Sequence, residues 1–372
     1  MSKNTIEIPF TEIIERVREL LGFREEVSSK IRGVVNDIYL RDITKKEDWS
    51  FLIARSSLTF TEEFTTGNAT INTGGTTVTF SSTFVADSGM IGRRIKFSNN
   101  DNIYDVNGLS SSTGVTIQPP LSGTQNITSQ SYSIFRTTYP LAGDFDRFPK
   151  NGGLYLFYGG QPKRIPEKDY GYYVDNYQPT PSENQEFCRL IGTDTAGNRL
   201  IEIVPPSKSS ISAQYDYLKR LRPMRQTTSG VISMASNGAT TVTGSAGTTR
   251  FTEATTGDFF RVDAFGQGGD SEWYRIIAIA NDSSLTLATA FGTSAATSAN
   301  YTICSAPDMP AMLHPAVLYG TITQMSATQD DPMVVGYKGE YASVLSDGKR
   351  LYKTRMYRQE IANVSEEYHY RR

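Results

Sequence analysis

The feature that most constrains this sequence is a series of short β-type runs that occurs twice. Around residues 78–80 and 115–117, apolar residues alternate with Thr, and Gly, Asn, Ser or Pro separates one run from the next. The same series returns around residues 259–262 and 285–287. Short alternating runs that turn residues separate at intervals of about 8–12 residues are typical of a small sandwich or barrel.

The two series can be matched residue by residue. The matched pairs are Gly89 with Gly257, Tyr104 with Tyr274, Ile117 with Leu287 and Tyr132 with Tyr301, which lie 168, 170, 170 and 169 residues apart. A nearly constant offset predicts an internal duplication, and two copies are too few for a solenoid. We therefore predict two copies of one β module.

Each copy interrupts another pattern. The chain leaves that pattern after Phe60 and after Met224, and it resumes at Arg136 and at Pro307. Exposed loop tips tolerate such insertions because the two ends of an inserted domain can lie close together. The predicted domains are an N-terminal helical part at 1–60, a β module at 66–136, a central β unit at 137–224, a second β module at 228–304 and C-terminal helices at 305–372.

Helical patterns occupy both ends of the chain. Ile13, Ile14 and Val17 recur at helical spacing, and Pro315 is expected in the first turn of a C-terminal helix. The predicted fold class is α+β: helical segments from both termini pack with a central β-rich unit, and two duplicated small β-sandwich or barrel modules are inserted. The predicted core anchors are Trp49, Phe51, Tyr139 and Phe145.

Composition argues against general affinity for nucleic acid. The chain has 37 Lys and Arg against 39 Asp and Glu, so it lacks the excess positive charge that phosphate binding needs. Two cysteines, Cys188 and Cys304, are too few for a disulfide framework, and we expect buried free thiols. The first residues show no secretory pattern, and no run approaches the ~18 apolar residues of a membrane span, so we expect folding in a cytoplasm without membrane contact.

The motifs of catalysis are missing from the sequence. It contains no G-x-x-x-x-G-K-[ST] loop, no G-x-S-x-G elbow and no H-E-x-x-H pair, and its two histidines are His314 and His369. We expect no enzymatic activity, no cofactor and no bound metal. An enzyme stays a distant third possibility, because paired carboxylates can come from positions far apart in the chain.

A basic run with large apolar side chains closes the sequence. A solvated helix face explains it as well as an arm that docks into a partner's groove, and direct DNA binding is least favoured. The residues of the hypothetical arm are Lys349, Arg350, Lys353, Arg355, Arg358, Tyr368, Tyr370, Arg371 and Arg372.

The pattern that remains after both modules are removed has a recognisable order. It runs Asp-Trp-Ser-Phe-Leu (48–52), Tyr-Pro-Leu-Ala-Gly-Asp-Phe-Asp-Arg (139–147), Ile-Glu-Ile-Val-Pro-Pro (201–206), Tyr-Asp-Tyr-Leu-Lys-Arg-Leu-Arg-Pro (215–223) and Met-Pro-Ala-Met-Leu-His-Pro-Ala-Val-Leu-Tyr-Gly (309–320). This order resembles the head-to-tail adaptor proteins of tailed bacteriophages, of the tail tubular protein A type. The resemblance covers residues 1–60, 137–224 and 307–372.

The resemblance implies a virion protein that is assembled in the host cytoplasm and forms a homo-oligomeric, twelve-fold ring beneath the portal protein. Such a ring extends the DNA channel without specific DNA binding and carries the tail nozzle protein and often the tail fibres. In that family the C-terminal segment docks on the portal, so the basic run would be a portal-docking arm here. The inserted β modules depart from the compact family pattern.

A second function class stays open. Thr- and Ser-rich β modules with exposed aromatic side chains can bind carbohydrate, as in a receptor-binding virion protein. Trp273, Tyr274 and Tyr104 are the aromatic residues on which this alternative depends.

Overall fold

The computed structural model describes residues 7–22, 27–81, 85–149, 152–158, 161–177, 180–234, 238–262, 269–292, 296–326 and 332–353. The chain divides into two compact units, one of Met1–Leu52 with Leu221–Arg372 and one of Ile53–Arg220. Both units contain antiparallel sheets, and helices occur in each, so the protein is of the α+β class.

Five α-helices are present in the described residues. They are α1 (Phe10–Leu20), α2 (Ser28–Asp37), α3 (Tyr170–Asn176), α4 (His314–Met325) and α5 (Pro332–Tyr352). Gly22 ends the first helix: its φ of 61° is a left-handed conformation, and its N–H donates to the Glu19 carbonyl. Pro315 lies in the first turn of α4, as predicted, where a missing N–H costs nothing.

The strands of the second unit precede those of the first in the chain. Residues 53–220 contain β1 (Ile53–Phe60), β2 (Ala69–Ile71), β3 (Thr77–Phe80), β4 (Arg94–Phe97), β5 (Ile103–Ser111), β6 (Gly114–Gln118), β7 (Ile127–Gln130), β8 (Tyr132–Phe135), β9 (Thr138–Pro140), β10 (Phe145–Arg147), β11 (Gly153–Tyr158), β12 (Gln161–Pro166), β13 (Phe187–Thr193), β14 (Arg199–Val204) and β15 (Ile211–Lys219). Residues 221–372 contain β16 (Gln226–Thr227), β17 (Ile232–Ser233), β18 (Thr241–Gly244), β19 (Phe259–Val262), β20 (Tyr274–Asn281), β21 (Ser284–Leu287) and β22 (Tyr301–Cys304).

The central β unit consists of two small sheets. One has the order β1-β15-β11-β12, with β10 also pairing with β15, and the other has the order β13-β14-β9. Strand β1 pairs with β15 in unbroken register from Ile53 opposite Leu218 to Phe60 opposite Ile211. Residues 53–60, which the sequence analysis included in the N-terminal helical part, are therefore a strand of the central sheet.

The side chains between these two sheets are largely aromatic. Tyr139 and Phe145 are buried there, next to Phe60 and to Tyr217, at ring-centroid distances of 5.3 and 5.6 Å. The Tyr217 hydroxyl donates to Asp144 at 2.6 Å, so its polar end is satisfied inside the core. Burying an aromatic ring of this size stabilises a fold by about 1.5–3 kcal/mol.

Each predicted β module is a seven-stranded sheet around one core. The first has the order β7-β2-β3-β6-β5-β4-β8, and the second, read from its opposite edge, has the order β17-β18-β21-β20-β19-β22-β16. Six successive strands therefore follow the same chain order in both sheets. Val78, Ile95 and Val115 belong to the buried core of the first, and Val242 and Phe260 to that of the second.

Irregularities recur at matching places in the two modules. In the β5–β6 pair the register shifts between Val106 and Gly108, and in the β20–β21 pair it shifts between Ile276 and Ala278. The Gly92 N–H donates to the Val106 carbonyl as the Gly257 N–H donates to the Ile276 carbonyl, each at 2.8 Å. Both glycines have positive φ, so Gly92, and not Gly89 as the sequence offset suggested, corresponds to Gly257.

Matched tyrosines hold matching loops. The Tyr104 hydroxyl accepts the Ser122 N–H at 3.3 Å, and the Tyr274 hydroxyl accepts the Gly292 N–H at 3.0 Å. In both cases the accepted amide lies 18 residues after the tyrosine. Tyr132 and Tyr301 likewise donate to backbone carbonyls near the start of their modules.

A pair of backbone hydrogen bonds closes the base of each module. Phe64 and Ile134 exchange N–H···O bonds of 2.8 and 2.9 Å across the base of the first module. At the base of the second, the Ser305 N–H donates to the Arg225 carbonyl at 3.0 Å, and the Arg225 N–H donates to the Ser305 hydroxyl at 2.9 Å. We call these the closing pairs; each brings together chain segments that lie about a module's length apart.

Residues from both chain ends form the helical layer of the first unit. Ile13 and Val17 of α1 and Ile31 and Val35 of α2 are fully buried, as is Val317 of α4. The Phe10 N–H donates to the Ser305 carbonyl at 2.9 Å, and the Tyr39 hydroxyl accepts the Asp308 N–H at 2.9 Å. Tertiary contacts of this kind stabilise helices that are too short to form alone.

The polar face of α1 binds the second β module. Arg261 makes a two-point contact with Glu15 at 2.7 and 3.1 Å, and the Trp273 indole N–H donates to Glu12 at 2.9 Å. Arg275 lies 3.5 Å from Glu7. Arg261 is only 15% exposed in its side chain, so this bidentate pair is stronger than a solvated surface ion pair.

The matched tyrosines predict separable local effects. Tyr104→Phe removes the acceptor of the Ser122 amide, and Tyr274→Phe removes that of the Gly292 amide, each at a cost of about 1 kcal/mol. We expect each variant to speed exchange of its own amide by about fivefold in hydrogen-exchange mass spectrometry and to leave the other module unchanged. Tyr170→Phe, at a 68% exposed position, is the matched control and will change neither.

Candidate functional site

The predicted docking arm begins at the end of α5, where the structure places an ion-pair cluster. Lys349 and Lys353 lie one helical turn apart, and their ammonium groups contact the two carboxylate oxygens of Glu47 at 2.9 and 3.0 Å. These hydrogen bonds hold the pKa of Glu47 below its usual range. Arg350 points elsewhere and pairs with Asp347 at 3.3 Å.

Aromatic side chains pack beside these ion pairs at the end of α5. Trp49 is fully buried, and its indole N–H donates to the Ile43 carbonyl at 2.9 Å. Phe51, which is half-buried, stacks on Trp49 at 5.6 Å and meets the edge of Tyr352 at 6.1 Å. Trp49 also forms an isolated antiparallel bridge with Lys353.

We call Glu47, Trp49, Phe51, Lys349, Tyr352 and Lys353 the α5 junction. It ties the end of the last described helix to the segment that precedes β1, through two ion pairs, a backbone bridge and one ring contact. The ammonium groups are partly solvated, with side-chain exposures of 42% and 56%, so the ion pairs alone contribute about 1 kcal/mol or less. The junction therefore holds the end of α5 against the segment that precedes β1.

The predicted arm residues therefore fall into two groups. Lys349, Arg350 and Lys353 lie at the end of α5 and have partners within the chain. The others lie outside the described residues: Arg355, Arg358, Tyr368, Tyr370, Arg371 and Arg372.

Exposed apolar side chains occur near both ends of α5. Met333, Val335 and Leu351 are 44%, 53% and 59% exposed. Gly336 and Gly339 lie on the same helix with open space where a Cβ would stand, so contacts among the described residues do not require glycine there. Glycine within a helix costs roughly 1 kcal/mol relative to alanine.

The predicted sugar-binding aromatics do not form an exposed platform. Tyr104 and Tyr274 are 1% and 7% exposed, and their hydroxyls hold loops of their own modules. Trp273 lies under the Arg261 guanidinium at 4.4 Å and donates to Glu12. The expectation of exposed rings is wrong for Tyr104 and Tyr274, which lie in the interiors of their modules, and Trp273 is half-buried against α1.

Both cysteine side chains are buried and protonated in this fold. Burial raises the pKa of both cysteine thiols, Cys188 and Cys304, to about 12, so neither is a thiolate at neutral pH. Among the described residues, no three His, Cys, Asp or Glu side chains come together as a metal site. In the same part of the chain, no helix has the length and apolar character of a membrane span.

His314 joins the N-terminal segment to α4. Its Nδ1 accepts the Ile8 N–H at 2.9 Å, and its Nε2 lies 3.1 Å from the Met309 carbonyl, so Nε2 carries the proton of the neutral ring. The side chain is completely buried, and this burial lowers its pKa. These contacts give His314 a packing role between the N-terminal segment and α4.

Neither the family models nor the curated proteins with which the sequence was compared match this chain. The argument for function therefore rests on the sequence order and on the geometry of the described residues.

Sequence reasoning missed the acidic partners. Glu47 lies in a Lys-Lys-Glu-Asp-Trp step, and its neighbours gave no sign that two lysines about 300 residues away would contact it. Glu12 and Glu15 were assigned to the solvated face of α1. Their four-residue periodicity with Glu19 and Arg16 is also that of an ordinary surface helix, so only the tertiary structure identifies them as a binding face.

The α5 junction predicts a local effect of Glu47→Gln. The variant keeps the side-chain shape but removes the charge that both lysines share, so we expect residues 349–353 to exchange their amides up to about fivefold faster. Asp347→Asn is the matched control, because its pair with Arg350 is exposed and lies within one helix. Equal effects of the two substitutions would show that the Glu47 contacts do not hold the helix end.

His314 predicts a pH dependence of stability. Because the folded state holds the pKa of His314 below its usual value of about 6.5, the unfolded chain takes up a proton first as the pH falls. The stabilisation is complete above that value and is lost progressively below it, down to the lowered folded pKa. We expect the melting temperature to fall between about pH 7.5 and 5.5 by less in His314→Gln than in the wild type. Equal falls would rule out His314 as a source of the pH dependence.

Proposed function

We propose that this protein is a structural virion subunit, the head-to-tail adaptor whose ring joins the portal to the tail and extends the DNA channel. The observation that carries the proposal is the frame: residues 7–52 and 305–353 form one helical layer, and β1 forms one sheet with β15. These are the segments whose order resembles the adaptor family. In both places, a β module separates parts of the chain that are packed together.

We also infer that the two β modules are copies of one inserted domain. The shared strand order, the matching register shifts and the tyrosine-held loops support this inference. An inserted domain folds independently of its host when its ends lie together, and the closing pairs meet that condition. Both copies would then decorate the ring without interrupting it.

A ring subunit needs surfaces that bind a neighbouring copy, and α5 offers features that suit this need. Val335 and Leu351 are 53% and 59% exposed, and their apolar area is accessible to a neighbouring copy. Heterologous interfaces close into a ring when the rotation between neighbours divides a full turn.

The carbohydrate-binding alternative has lost the exposed aromatic platform on which it depended.

We assign portal docking to a shorter arm than the sequence suggested. The charges of Lys349 and Lys353 are already paired with Glu47, so portal docking falls to the residues after Lys353. In this proposal the α5 junction is a fixed base from which the arm reaches the portal. The partners are further copies of the chain, the portal protein, the tail nozzle protein and, at the periphery, tail fibres.

The test uses the portal protein encoded with this chain. We expect the full chain to assemble on purified portal rings, with twelve copies per ring in native mass spectrometry. A chain that stays monomeric at about 10 μM with portal present contradicts the adaptor proposal. The dissociation constant would then lie above about 10 μM, which is too weak for a stable interface.

Truncation after Lys353 separates the arm from the ring. We expect the truncated chain to keep its folded helical layer and to bind portal rings at least tenfold more weakly in co-sedimentation. Replacement of residues 354–372 by a Gly/Ser segment of equal length is the matched control for chain length. Unchanged portal binding by the truncated chain would eliminate the docking arm while leaving the adaptor proposal to the assembly test.

A further inference from the structure

The outer face of the central sheet carries a compact group of polar side chains around one tyrosine. Leu154 and Leu156 of β11 point into the core, so Tyr155 between them points to the opposite face. Tyr155 lies directly opposite Gln214 of β15, and Asp216 on the same strand lies opposite Arg55 of β1. Three neighbouring strands thus place four polar side chains together.

These side chains border a cavity of about 210 Å³. Arg55, Tyr155, Gln214 and Asp216 line it, and Pro162 of β12 and Tyr215 complete the lining. Tyr155 is half-buried while Gln214 and Arg55 are exposed, so the cavity is a shallow shelf open to solvent. We call it the Tyr155 shelf.

The charges on the shelf cancel. Arg55 binds Asp216 through Nε and Nη2, at 2.7 Å to one carboxylate oxygen and 3.2 Å to the other. A bidentate pair of this kind fixes both planar groups and leaves no net charge to attract an anion or a cation. The remaining guanidinium N–H groups and carboxylate lone pairs still point outward for hydrogen bonding.

Two polar groups on the shelf have no hydrogen-bond partner among the described residues. In the part of the chain that the structure describes, neither the Tyr155 hydroxyl nor the Gln214 side-chain amide makes a hydrogen bond to protein. The Tyr155 ring is also outside the aromatic cluster of the core, which Phe145, Phe148, Tyr215 and Tyr217 build. Its ring and hydroxyl are therefore both available beside the cavity.

We propose that the Tyr155 shelf binds a neutral pyranose unit of a glycan. A pyranose has hydroxyl groups that both donate and accept, and the amide of Gln214, the carboxylate of Asp216 and the guanidinium of Arg55 supply matching partners. Its C–H face is apolar, and the rings of Tyr155 and Pro162 offer apolar surface. The cavity holds one sugar unit, and its open side lets the rest of a glycan continue into solvent.

Other ligand classes fit less well. A phosphorylated ligand needs an unpaired cation. Among the described residues that line the shelf, Arg55 is the cation, and it is paired with Asp216. Arg164, opposite Tyr155 on β12, donates to the Gly152 carbonyl. A nucleobase stacks best on a flat, fully exposed ring, whereas Tyr155 is half-buried. The assignment is independent of ring assembly, because all the residues belong to a single subunit.

The test measures sugar binding by the full-length protein. We expect saturation-transfer NMR and titration calorimetry to detect at least one of methyl glucoside, methyl mannoside, methyl galactoside and N-acetylglucosamine. A shelf this small and open predicts a Kd on the order of millimolar for a single unit. Glucose 6-phosphate and adenosine are the comparison ligands for the charged and nucleobase classes.

Variants locate the binding. We expect Tyr155→Ala to weaken binding at least tenfold and Gln214→Ala to weaken it severalfold. Ser212→Ala is the matched control, because Ser212 lies on the same face of β15 but does not line the cavity. A melting temperature equal to that of the wild type shows that each variant is folded, and Tyr155→Phe keeps the ring if Tyr155→Ala is unstable.

Three results would overturn the proposal. One is the absence of binding for all four sugars at about 50 mM, which lies far above the expected Kd. Another is equal sugar binding by Tyr155→Ala and the wild type. The third is binding of adenosine or glucose 6-phosphate in preference to every neutral sugar.

Discussion

The architecture depends on the closing pairs, the short backbone contacts that bring both ends of each β module together. Phe64 meets Ile134 and Arg225 meets Ser305, so a long excursion of the chain begins and ends at one place. The entropy of closing such a loop grows only slowly with its length, and the module's own core supplies the free energy that offsets it. As a result β1 can pair with β15 although the whole first module lies between them in sequence.

Acidic side chains of the frame then attach each module at the same strand. In the second unit, Glu202 is 2% exposed and lies 3.5 Å from Arg94 of β4. In the first, Glu15 binds Arg261 of β19, the strand that occupies the place of β4 in the shared strand order. A buried carboxylate is stable only beside charged partners, and Glu202 has two, Arg189 and Arg94, so its contact favours one orientation of the first module against the frame. The Glu15 side chain is 33% exposed, and there the nearly buried group is the Arg261 guanidinium. The two modules thus use strands at the same place in the shared strand order and different residues for the same purpose.

Local patterns were readable from the sequence, and long-range partners were not. Alternating runs such as 78–80 and 115–117 became strands, and Pro315 became the first turn of α4, because strand and helix periods are local properties. The exposure of Tyr104, the strand at 53–60 and the partners of Glu47 depend on which segments meet in space. The Tyr155 shelf had no motif, since its residues come from strands up to about 160 positions apart.

The closing pairs also have a mechanical consequence. A force that pulls a module away from its frame is carried by the two backbone segments that cross the base. The two segments lie side by side, and both are stretched in the same direction. The interstrand hydrogen bonds at Phe64 and Ile134 lie across that direction, so traction neither shears nor unzips them. Twisting is different, since side-chain contacts such as Arg94 with Glu202 and Arg261 with Glu15 resist torque together with the two chain crossings. Each module is therefore attached firmly against tension, because two backbones share the load. Its rotation is restrained mainly by the side-chain contacts of Arg94 in the first module and Arg261 in the second.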